Sequence, residues 1–181
     1  MFIAISGISS SGKSFIGQKL AKELELSYID LDYFYLNSKP FITLSNGITV
    51  KNWDCDEALD IKKLKTFVTE KHSDGLLLVG FNLTDDLLPV KPNFHIHLSI
   101  GDTEEEIIKR CIISRNLSKN FSKKSAENDK LVVKELVYPF YLETLKRSSI
   151  DFTIKVFDNN ERRDAIYIMN EIIEFIRNRI F

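Results

Sequence analysis

GISSSGKS, residues 7–14, follows the apolar run MFIAIS (1–6) and leads into FIGQKLAKEL (15–24). Gly7, Gly12, Lys13 and Ser14 satisfy the pattern G-x-x-x-x-G-K-[ST], which is informative only between a strand and a helix. Both flanks are present. Phe2 to Ser6 is a short β-forming run, and Ile16, Leu20 and Leu24 recur at spacing four, one face of a helix. In that setting the glycines let the backbone N–H groups form a nest that, with the helix N-terminus, points at phosphate oxygens. ATP is therefore the expected ligand of Gly7, Ser9, Ser10, Ser11, Gly12, Lys13, Ser14 and Phe15. Lys13 is expected to reach the β and γ phosphates, and the Ser14 hydroxyl to ligate Mg²⁺.

Working outward, SYIDL (27–31), GLLLVGF (75–81), FHIHLSI (94–100) and FTIKVF (152–157) read as further strands. The unbroken apolar character of GLLLVGF is that of a strand buried on both faces. Helices are expected over 56–72, with Leu59, Leu64 and Phe67 inward, and over 101–115, with Ile107, Ile108, Cys111 and Ile112 as a stripe. Two more are expected over 130–146 and 162–179, the last burying Ile166, Met169, Ile173 and Ile176. Strands alternating with helices predict an α/β fold of the P-loop NTPase type: a five-stranded parallel sheet flanked by helices, with ligands at the carboxyl ends of the strands. Segments 36–52 and 117–130 are longer than ordinary connectors, and are expected to be a substrate-side loop and a short lid.

The 181 residues, 44% hydrophobic, suit a single domain over 1–181. A net charge of −1 argues against nucleic acid and anionic membranes as partners, and leaves a small molecule. Cys55 and Cys111 are far apart without metal-ligand spacing, and no run is long enough to span a bilayer, so a cytoplasmic monomer or homodimer is expected. His95 and His97 share one strand face, but no Cys or carboxylate completes a metal set, which favours structural roles.

Asp32, at the end of the second strand, suits a general base for an attacking hydroxyl, or equally a turn-capping aspartate. Trp53, the sole tryptophan, stands beside Asp54: an aromatic plate next to a hydroxyl acceptor, or a core plug beneath the loop. Arg110 and Arg115 lead into the lid segment, where guanidinium groups neutralise moving phosphate charge; Arg110 also fits a solvated helix face.

DLDYFY (30–35), NWDCDEALDIKKL (52–64), KRCIISR (109–115) and VYPFYLETLK (137–146), in that order after the phosphate loop, resemble the uridine kinase and nicotinamide riboside kinase family. The resemblance covers most of the chain and is closer to the nicotinamide riboside branch. It implies a nucleoside/nucleotide kinase-like fold and transfer of the ATP γ-phosphoryl group to the 5′-hydroxyl of a ribonucleoside. It makes Asp32 the catalytic carboxylate, with Lys13 and Arg115 assisting. Trp53, Asp54 and Arg115 then hold substrate, and adenine lies near the loop after the last strand.

Tyr33 and the basic, proline-poor lid segment depart from that family, and so does one position that bears on the metal. Where that family ends its third strand with a metal-binding glutamate before Gly-Phe, this chain has Val79. Either Asp30, two residues before Asp32 and hence expected on the same strand face, takes the metal together with Ser14 and Asp32, or the protein binds nucleotide with weak or lost catalysis. A kinase for a non-nucleoside alcohol or acid is a third reading.

Overall fold

The computed structural model describes residues 1–117 and 123–180. Its frame is a five-stranded parallel sheet of β1 (Phe2–Ser6), β2 (Ser27–Asp30), β5 (Leu76–Gly80), β6 (Phe94–Ser99) and β7 (Phe152–Lys155), in the order β2-β5-β1-β6-β7. β1, β5 and β6 are buried along their whole length, as their apolar sequences predict. The pleat sorts their side chains. Ile3, Ile5, Leu77 and Val79 pack with Ile16 and Leu20 of α1 (Lys13–Glu23), whereas Phe2, Ala4, Leu76 and Leu78 pack with Leu64 and Val68 of α2 (Ile61–Lys71). Because β1 has β5 on one side and β6 on the other, the loop leaving β1 opens at the reversal of strand order, where such sheets bind ligands.

Several boundaries differ from the sequence pattern. The helix expected from residue 56 begins at Ile61: a 3₁₀ turn over Asp56–Ala58 precedes it, and Asp60 caps it by accepting the Lys63 N–H at 3.0 Å. Segment 36–52 is not a plain loop, since β3 (Phe41–Thr43) and β4 (Thr49–Lys51) pair in it as an antiparallel hairpin. Of segment 117–130, Leu117 ends α3 (Glu104–Leu117) and residues 123–130 belong to α4 (Lys123–Val132); Lys119 and the rest of 118–122 lie outside the described residues. The helix expected over 130–146 is α4 running through a π-helical turn, Val133–Val137, into α5 (Tyr138–Lys146).

The final helix, α6 (Ala165–Ile180), starts three residues later than its pattern, because Glu161–Arg162 form β9, paired with β8 (Phe157–Asp158). In α6, Ile173 and Ile176 are buried as expected, but Ile166, in its first turn, is exposed. Among the described residues no helix is long and apolar enough to cross a membrane.

Candidate active site

The phosphate loop begins where β1 ends. Ser10 and Gly12 have positive φ, 79° and 83°, and the Ser11 N–H donates to Ile8 O at 3.1 Å, so the chain curls on itself before entering α1. Gly7 must be glycine for space: a Cβ there would stand 2.6 Å from Ser11 Oγ and 2.9 Å from Leu98 O. Ser11 Oγ is buried without a hydrogen-bond partner among the described residues, as fits a loop shaped to meet further oxygen ligands. Phe15 points outward, with the Lys19 ammonium 5.0 Å from its ring centre.

Lys13 opens α1. Desolvation lowers its pKa, and the opposing charges of Asp30, Asp32, Cys111 and Asp54 pull it the other way. Ser14 donates its hydroxyl to Asp30 Oδ2 at 2.7 Å, and Tyr28 donates to the same oxygen at 3.1 Å. Asp30 stands in register with Val79 on the adjacent strand, so its carboxylate rises beside the position of the absent glutamate. That gives the loop hydroxyl a carboxylate partner from β2 instead of β5.

Asp30 and Asp32 do not share a strand face, as their spacing had implied. β2 stops at Asp30, whose Oδ1 accepts the Asp32 N–H at 3.1 Å and caps a 3₁₀ turn over Leu31–Phe34. The turn nevertheless brings Asp32 to the cavity. Desolvation and the neighbouring Asp30 raise the Asp32 pKa, and Lys13 draws it down.

A cavity of about 470 Å³ gathers Ser9, Lys13, Asp32, Trp53, Asp54 and Arg115, drawn from four separate stretches of chain. Trp53 is 48% exposed and therefore does not plug the core. Its ring meets Tyr35 edge-on at 5.4 Å and carries the Lys39 ammonium 3.6 Å from its centre. Burial pushes the Asp54 carboxyl up to about 6, against the opposing pull of Arg115 and Lys13. Tyr35, Lys51, Phe81 and Asp129 also line this cavity, and sequence reading had not singled them out. Asp129 approaches Arg115 Nε at 4.0 Å across the α3–α4 junction. The β3–β4 hairpin leans over this side, with the Ser45 N–H on Glu135 Oε2 at 2.9 Å and Asn46 Nδ2 on Asn128 Oδ1 at 3.2 Å.

Arg110 lies apart from that cavity. It lines a second one, of about 360 Å³, with Ser99, Gly101, Phe157 and Asn160. Its guanidinium stacks on Phe157 at 4.4 Å and donates to Ile100 O and to Asn160 Oδ1, so it is not a solvated surface arginine. Arg162, read in sequence as the start of the last helix, donates to Ser10 O at 3.1 Å and Ser11 O at 2.9 Å. The signal for it was Asn159-Asn160, a pair tolerant of positive φ at the centre of a two-residue hairpin.

His95 and His97 are buried, and both ring systems meet one hydroxyl: His95 Nε2 and His97 Nδ1 lie 2.9 and 3.0 Å from Ser6 Oγ, and His97 Nε2 lies 2.8 Å from Tyr141 OH. Among the described residues no three His, Cys, Asp or Glu side chains gather as a metal cluster.

No protein-family model matches the chain. In sequence it is similar to the cytidylate kinases of Streptococcus thermophilus (strain CNRZ 1066), 34% identical over 91 residues, and of Streptococcus suis (strain 05ZYH33), 33% identical over 91 residues. Each match spans 50% of this chain and 39% of the relative. In structure it is similar to an uncharacterized protein from Eubacterium ventriosum ATCC 27560, with TM-score 0.57, 18% identity and 97% of each chain covered. A sugar kinase from Janibacter sp. HTCC2649 aligns with TM-score 0.56 and 16% identity over 97% of this chain and 93% of that one. A gluconokinase from Sinorhizobium meliloti 1021 aligns with TM-score 0.50 and 16% identity over 94% and 87%. The fold is that of the P-loop kinases. At these identities the structural likeness concerns the fold alone.

Proposed function

We propose that this chain is an ATP-dependent, Mg²⁺-requiring small-molecule kinase, and that its acceptor is the 5′-hydroxyl of a ribonucleoside of the nicotinamide riboside or uridine/cytidine type. The observation that carries the reading is the shared cavity. Lys13 of the phosphate loop, Asp32, Trp53, Asp54 and Arg115 face one space of about 470 Å³, a size that suits a nucleoside beside a triphosphate. The sequence similarity to cytidylate kinases supports phosphoryl transfer, and the resemblance to uridine and nicotinamide riboside kinases supports the finer choice of acceptor.

The donor set fits Mg²⁺. Ser14 Oγ and Asp30 Oδ2, already 2.7 Å apart, are hard oxygen ligands at the mouth of the loop, and Mg²⁺ keeps most of its remaining positions for water and phosphate oxygens. When bound, the ion would neutralise charge on the transferred phosphate. Asp32 holds the acceptor hydroxyl and takes its proton; its raised pKa brings it closer to the strength such a base needs. Lys13 and Arg115 offset the charge that moves between oxygens. Asp54 accepts from ribose hydroxyls, and the exposed Trp53 face takes the base.

A nucleotide-binding module with little turnover is the second reading, and Val79 is the observation that favours it. A non-nucleoside acceptor is the third. A coupled assay of ADP release over nucleosides, nucleoside monophosphates, sugars and hydroxy acids separates the three, with Mg²⁺ titrated in wild type and Asp30→Ala. The proposal expects turnover with a nucleoside and a steep rise in Mg²⁺ requirement in the variant. Turnover with a sugar or hydroxy acid alone would move the acceptor, and ATP binding without turnover on any acceptor would leave the module.

A further inference from the structure

Arg162 reaches the phosphate loop from the far end of the chain. The hairpin that carries it turns through Asn159 and Asn160, at φ 46° and 68°, which sets Phe157 opposite Arg162. Both arginines of this region use the same ring: Arg110 lies 4.4 Å from the centre of Phe157 and Arg162 lies 5.6 Å from it. Arg110 also holds Asn160, so the hairpin is fixed to α3 on one side while Arg162 extends to the loop on the other.

The contact is specific in geometry. Two nitrogens of one planar guanidinium address two successive carbonyls, Ser10 O at 3.1 Å and Ser11 O at 2.9 Å. A carbonyl and the next residue's N–H belong to one planar peptide and point in opposite directions. Holding Ser11 O therefore fixes the direction of the Gly12 N–H, and holding Ser10 O supports the Ser11 N–H in its bond to Ile8 O; the guanidinium charge strengthens both dipoles. Gly12, held at positive φ, leaves room for this approach: a Cβ there would meet Arg162 Nη2 and displace the guanidinium. Among the described residues no carboxylate lies within ion-pair distance of Arg162, so its charge is not cancelled where a phosphate would feel it.

We infer that Arg162 is a positioning residue for polyphosphate: it clamps the outer side of the phosphate loop in its anion-binding shape and adds uncancelled positive charge to that site. The inference rests on the loop binding the phosphates of ATP. It assigns Arg162 to the phosphates and not to the purine, although the arginine stacks beside the cavity that would take the base.

The test is calorimetric binding of ADP and of tripolyphosphate, which has no base, to wild type, Arg162→Ala, Arg162→Lys and Lys13→Ala. Arg162→Ala is expected to weaken both ligands by the same factor, about tenfold to a hundredfold, the scale of a charge-assisted hydrogen-bonded pair. Arg162→Lys, which keeps the charge and loses the two-pronged clamp, recovers part of that loss. The KM for ATP rises in parallel, while the KM for the acceptor stays at the wild-type value. ADP affinity unchanged in Arg162→Ala, or in Arg162→Lys should the alanine variant fail to fold, overturns the inference. So does a loss confined to ADP with tripolyphosphate spared, which would make Arg162 a base-site residue. Lys13→Ala separates the two levels. If it loses ADP while Arg162→Ala does not, the loop assignment stands and the clamp falls; if neither variant loses ADP, the loop assignment falls with it.

Discussion

The cavity beside Trp53 takes Ser9 and Lys13 from the phosphate loop, whereas the cavity beside Phe157 is lined by none of the loop's residues, and the two are built differently. On the proposed nucleotide side, around Phe157, arginine contacts end mainly on backbone: Arg162 on Ser10 O and Ser11 O, and Arg110 on Ile100 O as well as on the Asn160 side chain. On the proposed acceptor side they are between side chains: Asp30 with Ser14, Lys39 over Trp53, Asp129 near Arg115. Backbone contacts survive most substitutions, whereas side-chain contacts define what fits. Under the proposed function the difference would suit one phosphate donor and one selected acceptor, and single substitutions should divide accordingly.

The largest expected effect is at the seam. Asp32→Asn removes the base but keeps the shape of the turn, because the Asp32 N–H that bonds Asp30 is backbone. The kcat should fall about 10²- to 10⁴-fold with ADP affinity intact. An effect confined to nucleotide binding would move Asp32 to the donor side.

Next come two titrations of opposite sign. In the core, on β6, burial and the neighbouring His95 hold His97 down at about 4, below the ordinary 6.5. Between those values the unfolded chain binds a proton that the folded chain refuses, so stability is lost as pH falls from 6.5 toward 4, by about 3 kcal/mol in full. On the acceptor side, burial raises Asp54 from 3.8 to about 6. There the folded chain takes the proton first, and stability is gained as pH falls from 6 toward 3.8, by a similar amount of about 3 kcal/mol. The wild type should therefore show a shallow dependence from these two groups. His97→Gln should make acid relatively stabilising and Asp54→Asn should make it more damaging, read from urea unfolding at pH 7 and pH 5. Parallel pH slopes in all three proteins would show that neither group is held as described.

A packing effect of about 1–3 kcal/mol is expected from Gly17→Ala. Gly17 lies over β5, where a Cβ would run into Val79 Cγ1 and stand 3.3 Å from Leu77 Cδ2 and Tyr28 Cε2. Lifting α1 there also moves Ser14 from Asp30, so the melting temperature should fall and the Mg²⁺ requirement should rise together. A fall in melting temperature alone would uncouple the helix seat from the metal-binding pair.

The two sides also differed in how much of them could be read from sequence. The loop from Gly7 to Ser14 and its strand and helix are encoded locally, by glycine spacing and by apolar period, and the parallel sheet, though not its strand order, follows from alternation. Asp30 as the neighbour of Ser14 came from a gap in a pattern, Val79, and the register of β2 with β5 supplies the physical reason. Arg162 was hidden because its role depends on a hairpin of two-residue strands, too short to leave a periodic signal. Asp129 lies on α4, in a segment read as loop, and its nearness to Arg115 comes from tertiary packing that no local pattern records. Of the helix from Lys123 to Lys146, the part over 130–146 was legible, but its start and its π turn were not: the turn is held by neighbours, Val133, Leu136 and Val137 being buried while Glu135 meets Ser45.

The smallest effect tests the acceptor side on its own terms. Trp53 is nearly half exposed, and its ring makes one edge contact with Tyr35 and one with the Lys39 ammonium, so little of the fold depends on it. Trp53→Ala should lower the melting temperature only slightly. If the ring stacks on the acceptor's base, it holds ground state and transition state alike, so acceptor KM should rise about tenfold with kcat and the KM for ATP unchanged. Trp53→Phe, which keeps a smaller aromatic face, should recover part of the loss. The Lys39 ammonium already covers one face of the ring, so the base is left the other face, and Lys39→Met should change acceptor KM less than Trp53→Ala does. A larger effect from Lys39 than from Trp53 would instead mean that the cation is the recognition element, and that the acceptor carries a negative group where a base has been placed.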